Sequence, residues 1–156
     1  MKEQVKIYVD RVRDGEVDEV SETVSPVFMD IQEQEMRFND PVTLEGEAYV
    51  TDDWLIIRLT IKTKVTLVCS VCNEPFEFII DIQDMVHDEP LENIRDSSFD
   101  LLPMVRESIL LAVPFYPQCG LTVCKQRKNI EPYLKSSKPI VEKTEEHGHN
   151  PFQDLL

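Results

Sequence analysis

Four cysteines carry most of the chemistry that this sequence of 156 residues could perform. Cys69 and Cys72 form a Cys-x-x-Cys step inside Thr66-Leu-Val-Cys-Ser-Val-Cys-Asn-Glu-Pro-Phe76, and Cys119 and Cys124 form a second pair with four residues between them. Both spacings suit a zinc half-site, where a tight turn points two sulfurs the same way and lets backbone N–H groups reach them. Two half-sites complete a tetrahedron, so the spacing predicts one zinc ion per chain on Cys69, Cys72, Cys119 and Cys124. Two alternatives stay open: reduced, partly buried thiols without metal, or a redox pair. The redox reading is the weakest. A thioredoxin-type pair needs a helix N-terminus to depress a thiol pKa, and here Pro75 and a strand-like run follow instead.

Basic side chains flank both half-sites. Lys62 and Lys64 precede the first, and Lys125, Arg127 and Lys128 follow the second. If the sulfurs meet, these five charges are expected to meet too, as a positive spot able to touch RNA. The plainer reading is charge compensation, since a zinc ion with four thiolates carries a net charge of about −2. Little else resembles a catalytic site. The four glycines are scattered, so no phosphate loop forms, and no Ser/His/Asp spacing or metal-hydrolase helix motif is present. The acidic stretches at 16–22 and 88–92 read as surface, His87 as structural, and His147 and His149 as part of a solvated segment. The expectation is a protein that is not an enzyme and has no small-molecule substrate.

The formal net charge of −14 argues against a chain that as a whole grips phosphate backbones, and favours a basic partner such as a ribosomal protein. No apolar run approaches the roughly 18 residues of a membrane span, and charges interrupt the N-terminal stretch where a signal core would lie. A cytoplasmic location is expected, with its cysteines as thiols or thiolates.

The elements that must position the cysteines follow from hydrophobic periodicity. Residues 4–12 alternate loosely and predict a first strand ending before a turn at Gly15. Residues 14–25 are acidic and lack a period, while 27–31 predict a short or edge strand after Pro26. Val42, Leu44, Gly46, Ala48 and Val50 share one face of a strand, and Thr51-Asp52-Asp53 predicts a hairpin turn. A long strand over 54–68 follows, with Leu55, Ile57, Leu59, Ile61, Val65 and Leu67 inward. Its antiparallel partner runs from Pro75 to Met85, with Phe76, Phe78, Ile80 and Ile82 on one face. Residues 100–113 predict a helix capped by Ser97, Ser98 or Asp100, tolerating Pro103 in its first turn and ended by Pro114. Its apolar stripe is Leu102, Val105, Ile109 and Ala112, widened by Leu101, Met104 and Leu111. The fold class is therefore α+β: an antiparallel sheet of four to six strands, partly barrel-like, covered by one main helix, with a cysteine knuckle at a hairpin end.

Residues 1–134 read as one such domain. The composition of 135–149 predicts a flexible tether. At 150–156, Asn150 and Pro151 pre-set a helical turn that puts Phe152, Leu155 and Leu156 on one side, as a docking motif acting on the chain's own domain or on a partner.

Three segments together resemble the large ribosomal RNA subunit accumulation proteins, the YceD family. They are Cys69-Ser-Val-Cys-Asn-Glu-Pro-Phe76, Phe99-Asp-Leu-Leu-Pro-Met-Val-Arg-Glu-Ser-Ile-Leu-Leu-Ala-Val-Pro114 and Asn150-Pro151-Phe152. The likeness covers about the last two thirds of the chain, and Val71 stands where the family usually carries Arg. The resemblance implies a non-catalytic factor needed for accumulation of large-subunit rRNA, binding a ribosomal protein or a precursor of the large subunit. Direct rRNA contact through the basic spot is the second reading, and a thiol redox protein the third.

Overall fold

A computed structural model describes residues 3–120, 124–129 and 131–133. In chain order the elements are β1 (Lys6–Tyr8), α1 (Val9–Val12), β2 (Asp18–Val24), β3 (Met36–Arg37), β4 (Val42–Thr51), β5 (Trp54–Val68), β6 (Pro75–Pro90), β7 (Ser98–Asp100) and α2 (Leu102–Ala112), with short 3-10 turns between and after them. β5 lies inside a five-stranded antiparallel sheet. β6 pairs along its whole length, β4 pairs from Lys62 to Trp54, and β3 pairs at Leu67 and Thr66. β2 continues the sheet beyond β4.

The alternation in β5 explains why it is central. Leu55, Ile57, Leu59, Ile61, Val65 and Leu67 are all buried, and each such side chain stabilises the fold by about 1.5–3 kcal/mol. Thr63 interrupts the row, and its hydroxyl donates to the Pro41 carbonyl at 3.3 Å. Ile56, Arg58, Thr60, Lys62, Lys64 and Thr66 point to the other, wetter side. The hairpin from β4 closes through Asp52-Asp53, with Asp52 in the left-handed region at φ 53°.

β6 runs five residues beyond the Met85 boundary that its apolar pattern predicts. The reason is a bulge. Leu59 faces Met85 and Ile61 faces Ile82, so Gln83 and Asp84 together oppose Thr60. Asp84 takes φ 50°, and its carboxylate accepts bonds of 2.8–3.1 Å from Nε and Nη2 of Arg58. The extra residue reverses the alternation, so a period read from Phe76 fails past Ile82.

α2 covers the inner face, with Leu102, Val105 and Ile109 buried alongside Leu101 and Met104. Ala112 and Leu111 do not join them: both are exposed, Leu111 by 80 %. Of the three expected caps only Asp100 serves, its Oδ1 accepting from the Leu102 N–H at 3.1 Å. Ser97 and Ser98 are used by the small β1–β7 sheet, where Tyr8 faces Ser98 and the Ser97 carbonyl accepts from Val9. Arg106 Nε donates to the Met29 carbonyl at 2.8 Å and ties the helix to the 26–29 turn.

Three N-terminal expectations are corrected. The first strand covers only Lys6–Tyr8; Val9–Val12 turns into one helical turn because Val9 and Val12 both bury. Residues 18–24 form β2, hidden from periodicity because only Val20 and Val24 of its seven residues are buried. Residues 26–29 are a 3-10 turn and 27–31 hold no strand. Ser25 Oγ accepts from Val27, Pro26 starts the turn, and Asp30 at φ 47° ends it. The result is α+β, an antiparallel sheet curled into a half-barrel, one main helix and a cysteine cluster near one end. Among the described residues no helix is long and apolar enough to cross a membrane.

Gly46 faces Leu59 across β4 and β5, and a Cβ on it would stand 1.9 Å from the Arg58 carbonyl oxygen. Gly46→Ala is expected to destabilise by about 1–3 kcal/mol through forced strand separation, read as a lowered urea midpoint. A midpoint at or above wild type would contradict this close approach.

Candidate metal centre

The first half-site is the turn between the two longest strands. Val68 and Pro75 are the last paired residues of β5 and β6. Between them, the Cys69 N–H donates to Glu74 O at 2.9 Å and the Asn73 N–H to Cys69 O at 3.0 Å. Asn73 takes φ 60°, a conformation its residue type tolerates. This reversal brings Cys72 back beside Cys69 and aims the Val71 N–H at Cys69 Sγ, 3.4 Å away.

The second half-site repeats the device. The Gln126 N–H points at Cys124 Sγ at 3.4 Å, in the 3-10 turn Lys125–Asn129. Gln118 Oε1 accepts from the Cys124 N–H at 3.0 Å, bracing the return of the chain. A strap joins the halves: the N–H and hydroxyl of Ser70 both donate to the Pro117 carbonyl, at 2.8 and 2.9 Å. α2 makes this possible, because Pro114 stops it and the chain leaves toward the 69–74 turn.

All four sulfurs lie within 4.8 Å of one another. Cys72 and Cys119 are 3.7 Å apart, and Cys119 and Cys124 3.5 Å. Ligands at Zn–S distances near 2.3 Å on a tetrahedron would stand about 3.8 Å apart, whereas a disulfide needs about 2.05 Å. The four are free cysteines. Cys69 and Cys124 are buried, Cys72 is half-buried and Cys119 exposed, so the cluster opens to solvent on one side.

The electrostatics also favour a cation. Burial pushes the Cys69 thiol up, but the N–H groups of Cys72, Val71 and Cys119 outweigh it and bring the pKa to about 6. Cys119 goes the other way: hydrogen bonds with the Cys124 and Cys72 sulfurs, then burial, raise it to about 12. At Cys72 the Glu74 N–H favours the thiolate, yet desolvation and the Cys69 and Cys124 sulfurs raise the pKa overall. One thiolate forms readily, and Cys72 and Cys119 resist ionising beside it. A metal ion at the centre would remove that conflict. The four cysteines can therefore hold a metal ion, and the arrangement of sulfurs and N–H donors fits a thiolate-binding one.

The structure brings together all four predicted sulfurs but spreads the basic residues. Lys125, Arg127 and Lys128 sit in the turn that follows Cys124, with Lys125 and Lys128 exposed. Lys62 and Lys64 project from the outer side of β5, roughly 23 Å and roughly 17 Å from Cys69 along the strand, and Lys62 faces Asp81. Asn150, Pro151, Phe152, Leu155 and Leu156, and the tether before them, lie outside the described residues. His87 contacts Glu89 through Nε2 at 3.2 Å and stacks on Phe99, as a structural residue would. Ser70, Pro117 and Gln118 join the site without having been singled out in the sequence. The Ser70–Pro117 clamp spans 47 residues, for which no local signal exists, whereas Gln118 acts on Cys124 only six residues away.

No protein-family profile matches this chain, and no solved structure matches it. The chain is 25 % identical over 111 residues to the uncharacterized protein YlbN of Bacillus subtilis (strain 168). That alignment covers 65 % of this chain and 64 % of YlbN, so the chain spans less than two thirds of this relative's length.

Cys119→Ser is expected to weaken cobalt(II) binding, read by thiolate charge-transfer absorption, by at least about 100-fold. The urea midpoint of its metal-free form should stay near wild type, because Cys119 is exposed. Cys69→Ser should weaken the metal equally and also cost about 1–3 kcal/mol without metal, because a hydroxyl replaces a buried sulfur. Equal metal-free midpoints for the two variants would contradict the placement of Cys69 under the turn.

Proposed function

We propose that this chain is a non-catalytic binding module of large-ribosomal-subunit assembly, which holds a basic ribosomal protein or a precursor particle in the cytoplasm. One zinc ion on Cys69, Cys72, Cys119 and Cys124 closes the edge of its platform. The observation that carries this reading is the likeness of three separated segments, 69–76, 99–114 and 150–152, to the YceD family in one order and spacing. The charge of −14 supports a basic partner. Zinc is supported by the thiolate-only ligand set and by sulfur separations near those of a tetrahedron.

The second reading, direct contact with rRNA, draws on Lys125, Arg127 and Lys128 following the second half-site in one short turn. Lys62 and Lys64, the other two residues of the expected spot, lie up β5 and do not join that turn. Salt separates the two readings, because phosphate contacts release counterions and weaken steeply as salt rises.

Affinity capture from cells at low and high salt is the test. A basic ribosomal protein or large-subunit precursor retained at both concentrations is the expected result, together with its loss from a chain stopped at Lys138 if the terminal motif makes the contact. Capture of RNA alone, lost at high salt, would overturn the first reading in favour of the second. Zinc affinity has its own signature. Cys72 and Cys119 hold their protons above the ordinary thiol pKa, so zinc must displace both near neutrality. Acid therefore favours the metal-free form, and each unit of falling pH should weaken apparent zinc affinity by at least about 100-fold. A pH-independent affinity would rule out thiolate ligation by these two residues.

A further inference from the structure

Among the described residues β6 is hydrogen-bonded along one edge only. β5 takes that edge, and among the described residues no strand pairs with the other. Among the described residues no backbone hydrogen bond of a turn or loop ends on residues 75–90. Peptide groups alternate in direction along a strand, so about half of those in Phe76–Ile82 point outward without a described partner. Such a row is a template for another strand.

Side chains decide what can pair there. On the outer face β6 presents Glu77, Ile79 and Asp81, an acid, an aliphatic and an acid, with Ile79 69 % exposed. On the inner side Phe76 and Phe78 border a cleft whose far wall includes Pro114, Tyr116 and Pro117. An added strand would lay one row of side chains beside the acids and the alternate row toward this aromatic cleft. A second copy of β6 fits badly. Antiparallel pairing centred on Ile79 would set Glu77 of each copy against Asp81 of the other, and like charges directly opposite are destabilising. The bulge at Gln83 and Asp84 breaks the edge just beyond, which leaves one short straight stretch. Behind this edge Lys62 of β5 faces Asp81 and Lys64 faces Ile79, so the two carboxylates of β6 are the charges nearest an added strand.

We propose that the free edge of β6 over Phe76–Ile82 is a strand-addition site for an extended, basic segment of a protein partner, with Lys or Arg alternating with apolar residues. The inference rests on the reading that this chain holds a basic protein, and it adds where the partner lies and in what conformation.

The test uses the full chain and a fluorescent ten-residue peptide of alternating lysine and valine, followed by anisotropy. Two further peptides carry N-methyl groups on alternate sets of backbone nitrogens, and one replaces lysine by glutamate. Saturable binding of the lysine peptide is expected, with a loss of at least about tenfold for one methylated set but not the other, since only one set faces β6. The glutamate peptide should not bind, and the double variant Glu77→Lys/Asp81→Lys should bind the lysine peptide at least about tenfold more weakly. Tyr116→Ala, at a side chain 83 % exposed, should also weaken binding and keeps the test decisive should the double variant misfold. Equal binding of both methylated peptides, or unchanged affinity in the variants, overturns the proposal. So does a dimer in sedimentation that the double variant abolishes, which would make a second copy the occupant. A gain in peptide affinity in Phe152→Ala/Leu155→Ala would assign the edge to the chain's own terminus and overturn it likewise. Peptide results as expected with no ribosomal protein captured would leave the edge site standing and remove the ribosomal reading. Ribosomal capture with equal binding of both methylated peptides would do the reverse.

Discussion

The row Leu55, Ile57, Leu59, Ile61, Val65 and Leu67 on β5 can leave water only if strands lie on both sides of it and something covers its face. β4 and β3 supply one side, β6 the other, and α2 the cover. That constraint also places the chemistry. β5 and β6 must be joined where both end, and the join is the turn holding Cys69 and Cys72. α2 must lie over the inner face, and its exit at Pro114 carries Cys119 and Cys124 toward the same end. The sulfurs converge because the core is built this way, and a metal would tighten an end that the core has already brought together.

The division of labour at that end is physical. Closing a contact between residues 47 apart costs chain entropy that grows only slowly with loop length, and core burial meets most of it before any sulfur is placed. What remains is fine positioning. Ser70 clamps the Pro117 carbonyl twice, Gln118 braces Cys124, and N–H groups are aimed at two of the sulfurs. These contacts hold the thiols at separations that suit a shared cation and are too long for a disulfide. Backbone N–H groups then hold Cys69 low while the neighbouring sulfurs hold Cys119 high, a conflict that a divalent ion would remove.

The uncovered side of the sheet shows a different economy. Glu19 and Glu47 face each other directly across β2 and β4, and Asp84 is balanced by Arg58 at the bulge. Facing carboxylates weaken a sheet slightly. An acidic, one-sided surface of this kind sets like charges against each other wherever two copies of the chain approach through it.

Much of this was legible in the sequence wherever period and burial coincide. Strict alternation defined β5 to the residue, and also the start of β6 and the inward face of β4, because one wet and one buried side leave that pattern. The two cysteine spacings identified the half-sites, since a turn that points two sulfurs together is a local matter. The sequence was silent or misleading where burial is sparse or geometry is set from afar. β2 buries too few side chains to show a period, the bulge at Asp84 reverses the one in β6, and Leu111 continues a helical stripe into solvent. Only tertiary structure could bring the two half-sites together, leave Lys62 and Lys64 up the strand from them, and leave one edge of β6 without a partner strand among the described residues. Each of these depends on which distant strand or helix lies alongside, and a local pattern of residues holds no record of that.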